Sequence, residues 1–119
     1  MALSNAAPMI WPPIFVTFVA AIVLIVVSIP LILERVGPNR YYGFRTPKTL
    51  SSPEIWYAAN SVAGKDLLIA GVVVVLWDLI LALLILFSVR VPAPLVSIGV
   101  LLLAVTIAVI HSFWALGKM

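Results

Sequence analysis

From Ile14 to Leu33 the chain runs for twenty residues without a charged side chain. As a helix such a run is about 30 Å long, the thickness of a bilayer's hydrocarbon core. Lipid offers no hydrogen bonds to a backbone, so a spanning segment must be a helix or part of a closed barrel. The apolar runs show no barrel-like alternation of polar and apolar residues. Two further runs, about Leu67–Val89 and Leu95–Gly117, have similar length. The expectation is an all-α membrane protein with three transmembrane helices (residues 10–33, 67–89 and 95–117) in a single domain, 1–119. Composition agrees: 65% of residues are hydrophobic and only 9% charged, against roughly a quarter charged in soluble domains.

The opening MALSNAAPMIWPP lacks the basic region of a secretory signal, so the first run is expected to be retained. Neither end carries a lipidation motif. Pro12 and Pro13 suit a helix's first turn, Trp11 suits an interfacial belt, and Pro30 is expected to kink the last turn. The link Arg90-Val91-Pro92-Ala93-Pro94 is short enough to force the second and third helices into an antiparallel hairpin. Three crossings put six Lys/Arg beside the 34–66 loop and the C-terminus, and only Arg90 on the other side. Retention of positive charge in the cytoplasm then predicts an outside N-terminus, with loop 34–66 and the C-terminus cytoplasmic.

Residues 34–66 are the long polar stretch, and far longer than an ordinary connection. Tyr41, Tyr42, Phe44, Trp56 and Tyr57 argue that it is structured, since disordered segments are poor in aromatics. Gly37-Pro38-Asn39 signals a turn, Gly43 a second bend, and Thr46-Pro47 an extended pair. A helix over about 53–63 follows, capped either by a Ser51/Glu54 box or by Ser52 with Pro53 at its first position. Ile55, Ala59, Val62 and Ala63 share its apolar face, and Gly64 is placed to end or bend it. Such a helix suits the bilayer surface, the alternative being an extension of the second span.

The run VGPNRYYGFRTPKTLSSPEIWYAANSVAGK resembles the SdpI family of bacterial membrane proteins. The family pattern reads approximately P-N-x-x-x-G-x-R-T-x-x-T-L, then E-x-W, then a small residue, a His and A-G. Its counterparts are Pro38, Asn39, Gly43, Arg45, Thr46, Thr49, Leu50, Glu54, Trp56, Ala63 and Gly64. Asn60 stands where the family has histidine, and Ala59 where a hydroxyl residue is common. The match covers about a quarter of the chain and is similar to the C-terminal region of longer members. The resemblance implies a bacterial plasma-membrane protein that gives immunity against a membrane-active peptide toxin and relays its presence.

The candidate recognition loop therefore comprises Pro38, Asn39, Arg40, Gly43, Arg45, Thr46, Thr49, Glu54, Trp56 and Asn60. Arg40, Arg45 and Lys48 near a helix N-terminus form a candidate anion site for lipid headgroups or an acidic partner. The alternative is that they are topology charges, some paired with Glu34, Glu54 and Asp66. Trp56 and Trp114 are expected as interfacial anchors, and Trp77 to face a helix or lipid.

A second candidate site is the intramembrane set Asp78, Thr106 and His111. A carboxylate at the bilayer centre is costly by about 2.5–3.5 kcal/mol on insertion scales, so Asp78 should face protein. The small-residue face of Gly71, Val75, Asp78 and Ala82 suits that contact. The leading reading is a protonated Asp78 hydrogen-bonded to another helix or protomer, ahead of a partner's cationic group or of ion conduction. Thr106 falls at a similar depth by counting from the loop side. His111 lies nearer the loop, where a neutral ring bonded to Ser28 or a backbone carbonyl is expected.

The absence of cysteine excludes disulfides and thiol chemistry, and one histidine with four carboxylates makes a metal site unexpected. No catalytic constellation or cofactor motif is present, and a net charge of +3 is no nucleic-acid footprint. The expected partners are membrane lipids, a peptide toxin or membrane-protein partner, and a second copy of the chain. Besides immunity, two functional alternatives stand: an accessory or assembly subunit of a larger membrane complex, and a small transporter or channel using Asp78.

Overall fold

The computed structural model describes the backbone of residues 2–90 and 92–119, and the side chains of 12–90, 92 and 94–119. Three helices form a bundle 60 × 22 × 18 Å in extent: α1 (Ala2–Ile32), α2 (Pro53–Leu86) and α3 (Ala93–Gly117). Each contains a stretch long and apolar enough to cross a membrane: Pro12–Ile32, Pro53–Leu86 and Pro94–Gly117. All three helices pack on one another. α1 begins ten residues before Pro12, so Pro12 and Pro13 lie inside the helix and not in its first turn. The expected belt position of Trp11 lies outside the described side chains.

Residues 53–63 are helical, but they are the opening turns of α2 and not a separate surface helix. Gly64 neither ends nor bends that helix out of register. It is buried where α2 presses on α1, and a Cβ there would stand 3.0 Å from the Ser28 carbonyl oxygen and 2.9 Å from an Ile32 methylene. Gly71, two turns on, meets α1 again: its Cβ would fall 2.8 Å from the Ala21 carbonyl oxygen. Helices in lipid associate by close packing, for which small residues are suited. With Ala59, Ala63, Ala70 and Ala21 also buried, the α1–α2 contact is built on this rule.

The helix ends are closed by the chain itself. Ser52 is the cap of α2, its side chain accepting from the Ile55 amide, with Pro53 at the first helical position; the Ser51 box is not used. α1 ends with Glu34 in the left-handed region, φ 56°. The Arg35 amide donates to the Pro30 carbonyl and the Glu34 amide to that of Leu31, the paired bonds of a Schellman close. Ser88, φ 62°, closes α2 in the same way through Val89 to Leu84 and Ser88 to Ile85. Carbonyls that would face lipid unpaired are thereby satisfied.

α2 has 34 residues, about 50 Å at helical rise, and so exceeds a bilayer core by several turns. The excess carries the 33–52 connection. Gly71→Ala should lower the detergent-unfolding midpoint, with a cost of about 1–3 kcal/mol from backbone displacement. Gly99→Ala is the control, because nothing lies within 4 Å of a Cβ there, and it should leave the melt unchanged.

Candidate functional site

The connection is a folded strap, and its own polar side chains build it. Asn39 Oδ1 accepts from the amides of Tyr41 and Tyr42, while its Nδ2 donates to the carbonyls of Gly37 and Tyr42. One side chain thus closes the turn that Pro38 opens. Thr46 and Thr49 form a second knot: Thr49 Oγ1 accepts from the Thr46 amide, and Thr46 Oγ1 from the Thr49 amide. Between the knots Gly43 takes φ 112°, and a Cβ there would meet Asn60 Oδ1 at 2.7 Å.

Asn60 joins strap to bundle. Its Oδ1 accepts from the Phe44 amide at 2.6 Å, and its Nδ2 donates to the carbonyls of Phe44 and Trp56. Trp56 is fully buried, and its indole N–H donates to the Val36 carbonyl at 2.7 Å. Trp56 is therefore a core residue and not an interfacial anchor. The buried face of this part of α2 is Trp56, Ala59, Asn60, Ala63 and Gly64. It is rotated from the expected apolar face so that Asn60 points inward.

Three contacts carry the strap across the other helices. The Tyr42 hydroxyl donates to the Val27 carbonyl of α1, and burial raises the Tyr42 pKa above 10.0. Phe44 stands edge-on to Phe113 of α3 at 4.9 Å between centroids. Lys48 Nζ donates to the Leu116 carbonyl at 2.7 Å, placing a cation at the negative end of α3. Beneath lies a cavity of about 310 Å³, roofed by Tyr42, Gly43 and Phe44 and walled by residues of all three helices, among them Val27, Leu67 and Val109.

The anion site expected at the N-terminus of α2 is not assembled there. Lys48 is engaged by α3, and the Arg45 Nε donates at 2.6 Å to the Asn39 carbonyl. At the start of α2, Pro53 has no N–H and the Ile55 amide is taken by Ser52. Arg40, Arg45 and Glu54 are exposed, as is Tyr41 at 92%. Nor do the loop charges pair with Glu34, Glu54 or Asp66. Among the described residues the one ionic contact is His111 with Asp66.

The intramembrane set separates into two nodes. Asp78 is 1% exposed; its Oδ2 accepts from Thr17 of α1 at 2.7 Å and its Oδ1 from Ser97 of α3 at 3.0 Å. It joins all three helices. Thr106 is not part of it: it is exposed and donates to the Leu102 carbonyl of its own helix. His111 pairs neither with Asp78 nor with Ser28, whose hydroxyl donates to the Ile25 carbonyl. Its Nδ1 stands 2.8 Å from Asp66 Oδ2, which also accepts from Ser112 at 2.8 Å. The His111 ring stacks on Trp114, which is exposed, and Lys118 Nζ lies 3.9 Å from the Trp114 ring centre. Trp77 packs against the Ile14, Leu81 and Ile85 cluster.

Counting depth from the hairpin link finds the loop-side node but not the Asp78 node. Asp78 is eight residues before Leu86 and Ser97 four after Ala93, depths of about 12 and 6 Å. Asp66 and His111 lie about 30 and 27 Å from the same ends, a matching pair. Thr106, at about 20 Å, is about 8 Å from the depth of Asp78 and Ser97 about 6 Å, so it is the outward face of Thr106 and not its depth that separates them.

These features define a multi-pass helical membrane protein whose first connection is a folded strap gripping all three helices. Residues 35–114 match the SdpI/YfhL protein family, covering most of the strap, all of α2 and most of α3. The chain belongs to that family. No curated protein and no solved structure matches it.

Asn60→Ala should cost about 1–3 kcal/mol in a detergent melt, because it strands buried Phe44 groups. Asp78→Asn keeps an acceptor and gains a donor, so its cost should be smaller, nearer 0.6 kcal/mol as for other intramembrane hydrogen bonds.

Proposed function

We propose that this chain is an SdpI-like immunity protein, which protects a bacterial plasma membrane against a membrane-active peptide and relays the peptide's presence through the strap. Family membership supports the first part. The observation that carries the relay is that one short segment grips Val27 of α1, Asn60 of α2, and Phe113 and Leu116 of α3. A peptide that spreads the helices in the membrane plane must strain these contacts, and the exposed Arg40, Tyr41 and Arg45 move with them. The distribution of positive charge supports a cytoplasmic strap.

An accessory-subunit role is the second reading, favoured by the exposed cationic face of the strap. A transport role would require access to Asp78, whose near-complete burial disfavours it.

Cells lacking the gene should become more sensitive to membrane-active peptides, and wild-type protein should restore resistance. Lys48→Ala with Phe44→Ala, present at wild-type level, should protect less. Unchanged sensitivity across a panel of such peptides removes the immunity reading, and a stable partner in mild-detergent pull-downs would favour the accessory role. For orientation, Tyr41→Cys should resist a membrane-impermeant maleimide in intact cells and react after permeabilisation. Labelling of intact cells would reverse the topology.

A further inference from the structure

The cavity under the strap has a use that the immunity role leaves open. Its walls are apolar: Val27 and Leu31 from α1, Leu67 from α2, Val109 and Phe113 from α3. Val27 lies five residues inside the end of α1, about 7.5 Å down the helix and so within reach of acyl chains.

The rim differs from the floor. Phe44 and Phe113 meet edge-on there. Arg45 follows Phe44 directly, is exposed, and has its Nε turned to the Asn39 carbonyl, which leaves the terminal guanidinium nitrogens. Lys48 Nζ sits at Leu116, one helical turn beyond Phe113, and holds two more donors after its bond to the carbonyl. Among the described residues neither cation has a carboxylate within 4.0 Å. An apolar cavity whose Phe44–Phe113 edge adjoins two cations without carboxylate partners, neither of them lining it, is complementary to an anionic amphiphile.

We propose that this cavity binds one anionic phospholipid. An acyl chain lies among Val27, Leu67 and Val109, and the phosphate meets Arg45 and Lys48. The geometry favours phospholipid over free phosphate because the chamber offers a phosphate nothing, while the chain fills it. A neutral headgroup would leave the two cations unmatched. Bound lipid would fill the space between strap and helices and so hold the Phe44–Phe113 contact closed.

The test is native mass spectrometry of the purified full chain in mild detergent, with phosphatidylglycerol and phosphatidylcholine in competition. One phosphatidylglycerol should be retained, with a preference on the order of tenfold from two near-surface cations. Arg45→Gln with Lys48→Gln should abolish the preference, whereas Arg40→Gln with Lys65→Gln should keep it. If the Lys48 change loosens α3 in a thermal melt, Arg45→Gln alone carries this arm, with a loss of a few-fold. Ala108→Phe and Val109→Trp, which fill the chamber from α3, should reduce retention of both lipids. Equal retention of the two lipids, displacement by inorganic phosphate alone, or full retention in both filled variants would each overturn the proposal.

Discussion

Asn60 sits where irregular backbone comes closest to the bundle. Non-helical chain pressed against a helix bundle is shielded from water, so its amides and carbonyls need partners inside the protein. Phe44 is such a residue, bracketed by Gly43 at positive φ and packed on α3. Asn60 meets both of its backbone groups from a single side chain, which presents an acceptor and two donors in one plane. A net contribution of about 0.5–1.5 kcal/mol per bond is modest, but leaving those groups unpaired would cost more. The strap can therefore lie against the helices and need not stand off in water. The family pattern has histidine at this position; the amide of Asn60 does the work of donor and acceptor here.

That placement depends in turn on α1 and α2 lying close. Gly64 and Gly71 let the α2 backbone approach carbonyls of α1, and on the same face α2 presents Trp56 and Asn60 to the strap. The α1–α2 contact is thus both the tightest packing in the molecule and the platform for the loop. α3 is held differently. Much of its surface faces outward, and its ties are polar: Ser97 to Asp78 near the hairpin, then Ser112 and His111 to Asp66. Hydroxyl–carboxylate pairs in a low-dielectric interior fix register more sharply than apolar contact does, because a one-turn slip would strand a carboxylate.

The helical class, the three crossings and the hairpin were legible in the sequence because lipid permits so few solutions to uncharged runs of that length. The turn at Pro38–Asn39 and the bend at Gly43 were legible for a similar reason, each depending on local backbone chemistry, while the α2 cap was legible only as a choice between Ser51 and Ser52. What could not be read was which way α2 faces. The apolar positions Ile55 and Val62 suggested one stripe, but the buried stripe includes Asn60, chosen by an unpaired loop backbone that leaves no periodic mark. Trp56 was misplaced by the same reasoning, since an indole needing a partner looks like an interfacial anchor until Val36 supplies the carbonyl. Thr106 shows the same limit, because depth along a helix says nothing of which face a residue is on. Depth counted from the short hairpin link pairs Asp66 with His111, but Ser97 and Thr106 lie almost equally far from the depth of Asp78, and only the rotation of α3 turns Ser97 inward and Thr106 outward.

The motif residues divide into two kinds, and the division bears on what the strap can do. Asn39, Thr46, Thr49, Trp56 and Asn60 all bond backbone groups and, with Gly43 at positive φ, make the strap a fixed shape. Arg40, Tyr41 and Glu54 face outward and make no contact that the fold requires. On the proposed relay, a segment organised this tightly behind, with charge and an aromatic left free in front, would transmit displacement in place of absorbing it. α3 is the helix whose position that displacement would report, because its loop-side end is gripped by Lys48 and Phe44 while its buried surface is small. Movement of α3 by a degree that the α1–α2 pair would resist reaches the exposed arginines through two contacts only. That is a short mechanical path from membrane interior to surface.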